Sequence, residues 1–190
     1  AALANALMVR VMDYNDIYWQ QDPSHPSDII PAAMACAERT GKGGRELIVG
    51  IILGHEFEMR LCEAAIPGIR ERGWHHATLT AFVSPIVASR LLDLPWEQIQ
   101  HAVGISASRH ATLGAVTAGK LTMMKNTVDP MATQSGVLAA LLAEKGYTGP
   151  EHVIEGKEGI VHCLGPEWDL DVLTDGLGES WRIERCGMKA

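Results

Sequence analysis

The chain of 190 residues lacks any apolar run long enough to cross a bilayer, since its longest stretches, such as Leu47 to Gly54, fall far short of the roughly 20 residues a spanning helix needs. It has little cysteine: Cys36, Cys62, Cys163 and Cys186 are dispersed and form no C-x-x-C pair. That spacing suits neither a zinc site nor a disulfide-dense secreted scaffold, offers no clustered thiolates for an iron–sulfur hydro-lyase, and points to a reducing cytoplasm. Basic runs are absent too. With 16 Lys and Arg against 23 Asp and Glu, a formal charge of −7, the chain has no footprint for DNA or RNA. HEFEM fails as H-E-x-x-H because position 59 is Met, and no G-x-G-x-x-G, Walker loop or G-x-S-x-G occurs, so no nucleotide cofactor is expected.

What is present reads as one folded domain. Hydrophobic residues at 47% and charged residues at 21% are near the globular average, and the length suits a single core. Both ends look cut: the first residue is not Met, AALANALMVRVM has no signal-peptide layout, and the chain stops soon after WRIERC.

Helical period dominates, and the expected class is mainly α. Leu3, Leu7 and Arg10 with Val11 mark an opening helix that runs out at DYND. The loop QQDPSHPSD follows, and Ser27 or Asp28 can cap a second helix bearing Ile29, Ile30, Ala33, Met34 and Ala37. TGKGG ends that helix. The next, RELIVGIILGHEFEMRLCEAA, is apolar almost all round at first, with Gly50 and Gly54 one turn apart, and is expected to be central. Residues 76–93 form a fourth helix with a kink expected at Pro85, Pro95 opens a fifth, and a sixth runs from near Asn126 to Lys145 with Gly146 as its cap. Strand alternation is expected only near Trp181 to Arg185.

Three features could carry chemistry. Asp13, Asn15, Asp16 and His25 sit at a helix end and the following loop, where they either converge on a site or merely end a helix and shape proline turns. His75 and His76 open a helix; adjacent helical positions point about 100 degrees apart, so at most one is expected to face a site. From Arg109 through Lys120 to Lys125, cations interleave with small residues before a helix start, a place to hold carboxylates or simply a solvated loop.

The segments VMDYNDIYWQQDPSHPSD, RERGWHHATLTAF and GKLTMMKNTVDPMATQSGVLAALLAEKGYTGPEHVIEGKEG, in this order and spacing, resemble the MmgE/PrpD family, which includes 2-methylcitrate dehydratase, cis-aconitate decarboxylase and iminodisuccinate epimerase. The resemblance covers nearly the whole chain. It implies a large helical domain, with the family's smaller α+β domain absent from this chain, so that residues 1–190 are a single helical piece holding part of a site. It implies a homodimer, a small tricarboxylate substrate, and no metal or organic cofactor. The family's catalytic positions fall on Asp13, His25, His76 and Lys125; His76 is preferred to His75 because counting back from SRLLDL without a gap lands there. Asp16, Arg109 and Lys120 complete the expected substrate contacts, while Ile17 stands where some members carry Thr. The expected chemistry is dehydration of a citrate-like acid, with decarboxylation or epimerisation on the same residues as the alternative. Two other readings remain: a non-catalytic helical dimerisation core, and a metal-assisted hydrolase using Asp13, Asp16, His25 and one of the paired histidines.

Overall fold

The computed structural model describes residues 1–165 and 167–189. Its helices are α1 (Ala2–Arg10), α2 (Ile30–Thr40), α3 (Gly44–Ala64), α4 (Ala77–Leu91), α5 (Trp96–Arg109), α6 (Val128–Glu144) and the short α7 (Ile160–Cys163). Among the described residues only three short strands occur, β1 (Asp16–Trp19), β2 (Pro23–Ser24) and β3 (Gly187–Met188), so the class is mainly α as expected. No helix of the described residues is long and apolar enough to cross a membrane.

Local chemistry sets the helix ends. Gly41 stops α2 in a left-handed conformation (φ 68°), with the Lys42 amide donating to the Ala37 carbonyl at 2.9 Å, and Gly146 (φ 82°) follows α6 in the same way. Pro95 lies in extended backbone just ahead of Trp96, where a proline costs no helical hydrogen bond. The sixth helix starts later than its pattern suggests, because Met123–Asn126 forms a separate 3-10 turn that carries Lys125.

The central element is α4, not α3. Along α4 only Ile86 and Arg90 escape burial, and it packs against α2, α3, α5 and α6. Pro85 lies inside it without ending it. Small residues let α6 come close: a Cβ on Gly136 would sit 2.0 Å from Ser84 Oγ and 2.7 Å from the Pro85 nitrogen. By contrast α3 is open on its first turns and buried nearly all round only from Gly54 onward. Gly50 and Gly54 abut Leu91 and Ile29, while Ile48 (59%) and Val49 (40%) on its first turns are exposed. An all-apolar turn cannot by itself report which face finds a partner.

The proline-rich loop is the second correction. It folds as a β1–β2 hairpin pairing Tyr18 with Ser24 and Trp19 with Pro23, and β3 adds antiparallel on the other side, pairing Asp16 with Met188. The expected strand at Trp181 to Arg185 is instead a 3-10 turn over Arg182–Arg185. Its alternation is spent on an ion network with α3: Arg182 Nε donates to Glu63 Oε2 at 2.8 Å, and the Arg182 amide donates to Glu56 Oε2 at 2.8 Å. Glu56 also accepts from Arg60 Nε at 2.8 Å, and Arg60 donates to the Val172 and Asp175 carbonyls. These side chains tie the irregular tail to α3, and through it bring β3 back to β1.

Removing Glu56 would leave the buried Arg60 without a carboxylate and take one of two from Arg182. Glu56→Ala is expected to cost about 3–5 kcal/mol in denaturant unfolding, with amide exchange in residues 170–189 rising before that of α4.

Candidate active site

A cavity of about 680 Å³ opens between the hairpin, the start of α4 and the loop before α6. Ile17, Trp19 and Trp74 form its apolar wall, and Arg10, Arg70, Lys125 and Lys189 supply cations; His25, His75 and His76 also line it. Asp22 is its acid, and its carboxylate accepts from the Ile69 and Arg70 amides. A site so framed suits an anion.

The start of α4 is fixed by backbone pairing. The His75 amide donates to the Thr112 carbonyl at 2.9 Å and the Gly114 amide to the Gly73 carbonyl at 2.7 Å, so close that a Cβ on Gly114 would lie 2.9 Å from that oxygen. His75 and His76 precede the helix rather than belong to it, and their carbonyls take its first amides. The 100-degree argument therefore does not apply: both rings line the cavity, their centroids 4.0 Å apart.

His25 meets His76 edge-on at 5.3 Å. Its Nδ1 lies 2.6 Å from the Asp16 carbonyl oxygen, and a carbonyl only accepts, so Nδ1 carries the proton and Nε2 keeps its lone pair. Burial, with the nearby charges of His76 and Arg10, holds the imidazole down to about 4 and hence neutral at pH 7. His75 is lowered to about 3 by burial and the charge of His76, and its Nδ1 accepts from the Ala77 amide at 3.2 Å.

Asp13 follows α1 in a left-handed conformation (φ 50°), which an aspartate tolerates. There it takes Lys125 Nζ at 2.6 Å and Lys189 Nζ at 2.7 Å. Burial alone would raise its carboxyl, but the two ammonium groups hold it at about 2. Lys189 arrives because β3 pairs with β1 and its amide donates to the Asn15 carbonyl at 2.8 Å.

Beneath the cavity floor Arg10 is 2% exposed. Its Nη1 is 3.4 Å from Asp28 Oδ2 and its Nη2 is 3.4 Å from Asp129 Oδ2; both carboxyls are fully buried. Two such carboxyls facing one cation do not both ionise. Burial and the charge of Asp129 push Asp28 well up, while Asp129 is lowered despite its burial, by His76 and Arg10. Asp129 Oδ1 lies 3.1 Å from His76 Nε2. Nearby, Glu58 accepts from Ser24 and Thr80, and burial pushes it up to about 7.

The structure thus brings His25, His76 and Lys125 to one cavity, with Asp13 behind Lys125. It does not bring all the expected substrate contacts there. The Asp16 carboxylate accepts from the Ser27 amide and from His55 Nε2 at 3.1 Å. Since His55 Nδ1 also donates, to the Ile51 carbonyl, that ring is an imidazolium; the bond to Asp16 outweighs burial and raises it. Arg109 lines a separate cavity of about 500 Å³ with His110 and Thr122, and Lys120 is exposed on its loop and lines neither. Missed from the sequence were Arg10, Arg70, Trp74, Lys189 and the buried Asp129, while His75 was weighed there and ranked behind His76. Only Arg10 left a signal, a lone cation on the apolar stripe of α1.

Among the described residues, His75, His76 and Asp129 have ligand atoms within 4.8 Å of one another, as a metal would require. The fit is poor on charge, because a dication there would face the buried guanidinium of Arg10. Nor do Asp13 and Asp16 offer ligands, being bound to lysines and to His55.

The buried neutral His75 takes up a proton more readily in the unfolded chain, so it adds stability at and above pH 6.5 that is lost as pH falls toward about 3. Glu58 has the opposite sign between pH 7 and 4.5. The difference between variants isolates the histidine: His75→Asn, which keeps the acceptor for Ala77, should show a shallower loss of Tm than the unsubstituted protein between pH 6.5 and 4.

Comparison with known proteins agrees with the resemblance. The model for the MmgE/PrpD N-terminal domain matches residues 1–173. The cis-aconitate decarboxylase-like protein oryM of Aspergillus oryzae is 28% identical over all of this chain and 42% of its own length. The cis-aconitate decarboxylase of Aspergillus terreus is 27% identical over 95% of the chain and 39% of its own length, and the 2-methylcitrate dehydratase of Escherichia coli O157:H7 is 27% identical over 97% and 38%. The chain spans about two fifths of these relatives and belongs to the MmgE/PrpD family, within its N-terminal helical domain.

Proposed function

We propose that this chain is the helical part of a cofactor-independent carbon–oxygen lyase that dehydrates a citrate-like tricarboxylate such as 2-methylcitrate. The observation that carries this reading is the pairing, on one cavity, of a neutral imidazole with a free Nε2 and a second imidazole beside a buried carboxylate, ringed by four cations. Loss of water needs a base for a proton on carbon, an acid for the departing hydroxyl, and positive charge for the developing enolate-like oxygen. His25 Nε2 takes the proton from carbon. The electron pair of that C–H bond forms the double bond, the C–O bond breaks, and His76, entering as the imidazolium, protonates the leaving oxygen to give water and is left neutral. Lys125 and Lys189 hold carboxylates, and Asp13 aligns the two ammonium groups rather than acting as base, since it is held at about 2. The wall of Ile17, Trp19 and Trp74 suits an alkyl substituent on the acid.

A second reading has specific support. Two of the relatives carry the name cis-aconitate decarboxylase or decarboxylase-like. In that case C–C cleavage releases carbon dioxide, the carbanion is stabilised by the lysines, and an imidazolium returns a proton to carbon. The residues are shared, so substrate decides.

Assays of the full-length protein on citrate, 2-methylcitrate and cis-aconitate, following unsaturated product by ultraviolet absorbance and carbon dioxide separately, discriminate the two. Turnover of none rejects both. His25→Gln should lower kcat by about 10²–10⁴. Lys189→Ala, which leaves Lys125 on Asp13, should raise KM about tenfold, on the order of 1.4 kcal/mol, with kcat little changed.

A further inference from the structure

Asp129 carries a function that the reaction scheme does not assign. It is fully buried, does not line the cavity, and joins two groups that do, Arg10 and His76. We infer that Asp129 is the positioning residue of the site: it accepts the Nε2 proton of His76, and so presents the opposite edge of that ring, with Nδ1, to the substrate. The inference rests on the proposed role of His76 as acid.

Three observations converge. His76 Nε2 is wholly removed from solvent, yet His76 lines the cavity, so the ring meets the cavity with its other side. Asp129 Oδ1 lies 3.1 Å from Nε2, and a carboxylate can only accept there. Arg10 completes the arrangement. It holds the second oxygen of Asp129 at 3.4 Å and shares its charge with Asp28. Of these two carboxyls, Asp129 also has the imidazole beside it, which selects it as the ionised member. The contact of His76 and Asp129 is within hydrogen-bond distance but poorly aligned, as such contacts often are before a substrate is bound. A buried carboxylate behind a histidine fixes its tautomer and orientation and stabilises its charged form, without itself taking the proton.

Asp129→Asn tests this sharply. Arg10 offers only donors, so the single carbonyl oxygen of the new amide turns to Arg10 and its NH₂ group faces His76. The ring must then accept at Nε2 and carry its proton on Nδ1. Nitrogen-15 spectra of the histidine-labelled protein, followed with rising pH until the ring has lost one proton, should show His76 protonated on Nε2 in the unsubstituted protein and on Nδ1 in the variant. An unchanged tautomer overturns the inference. In the full-length enzyme the same substitution should lower kcat by about 10²–10⁴ while KM changes less than about threefold. Asp28→Asn serves as the structural control, because Asp28 contacts Arg10 but not His76, and should leave kcat within about threefold. Equal losses in both variants would show that the triad acts only through folding and would also overturn the inference. If no tricarboxylate is turned over by the unsubstituted enzyme, the proposed reaction fails, and the tautomer measurement still decides the role of Asp129.

Discussion

A guanidinium buried between two carboxyls holds this molecule's site in place. Arg10 ends α1, Asp28 lies in the 3-10 turn ahead of α2, and Asp129 lies in the first turn of α6, so one cation fastens three separate segments. Such a cluster is a weak source of net stability, because desolvation consumes most of the Coulombic gain. Its value is geometric: removing Arg10 or Asp129 leaves an unpaired charge in the interior, a cost high enough to enforce a single arrangement. Arg10 also lines the cavity, and His76 faces the cluster's Asp129 at 3.1 Å.

Electrostatics across the site follow from unequal burial. His25 and His75 are kept neutral by desolvation, whereas His55, buried to a similar extent, is charged because Asp16 faces it. Environment divides chemically identical side chains into a neutral ring with its Nε2 lone pair free, a structural acceptor and an ion-pair member. The net charge of −7 does not prevent an anion site, since Arg10, Arg70, Lys125 and Lys189 are gathered on one concave surface and acids there are either neutral or bound. A field focused by a low-dielectric cleft is decided locally.

Elements with strong local signals were legible in order. The ends of α2, α5 and α6 follow from Gly41, Pro95 and Gly146, whose backbone preferences act within a turn. The hairpin in QQDPSHPSD was not legible, because its strands are very short, its prolines mimic a plain loop, and its third partner lies some 170 residues away at Met188. The same distance hid Lys189. His75 was set aside on helical geometry that its position before α4, outside the helix, does not obey. Arg109 and Lys120 shared a basic stretch with Lys125, yet the chain turns between them and sends them to another cavity and to solvent.

By itself the sequence determined the helical class, the punctuation of the main helices and the residues of the three motif blocks, because these depend on side-chain period and on backbone preferences expressed over a few residues. Only the tertiary structure decided that α4 is central, that Asp13 clamps two lysines from opposite parts of the chain, and which imidazoles are neutral. Those outcomes are set by burial and by charges brought together across long separations, and neither quantity exists until the helices have packed.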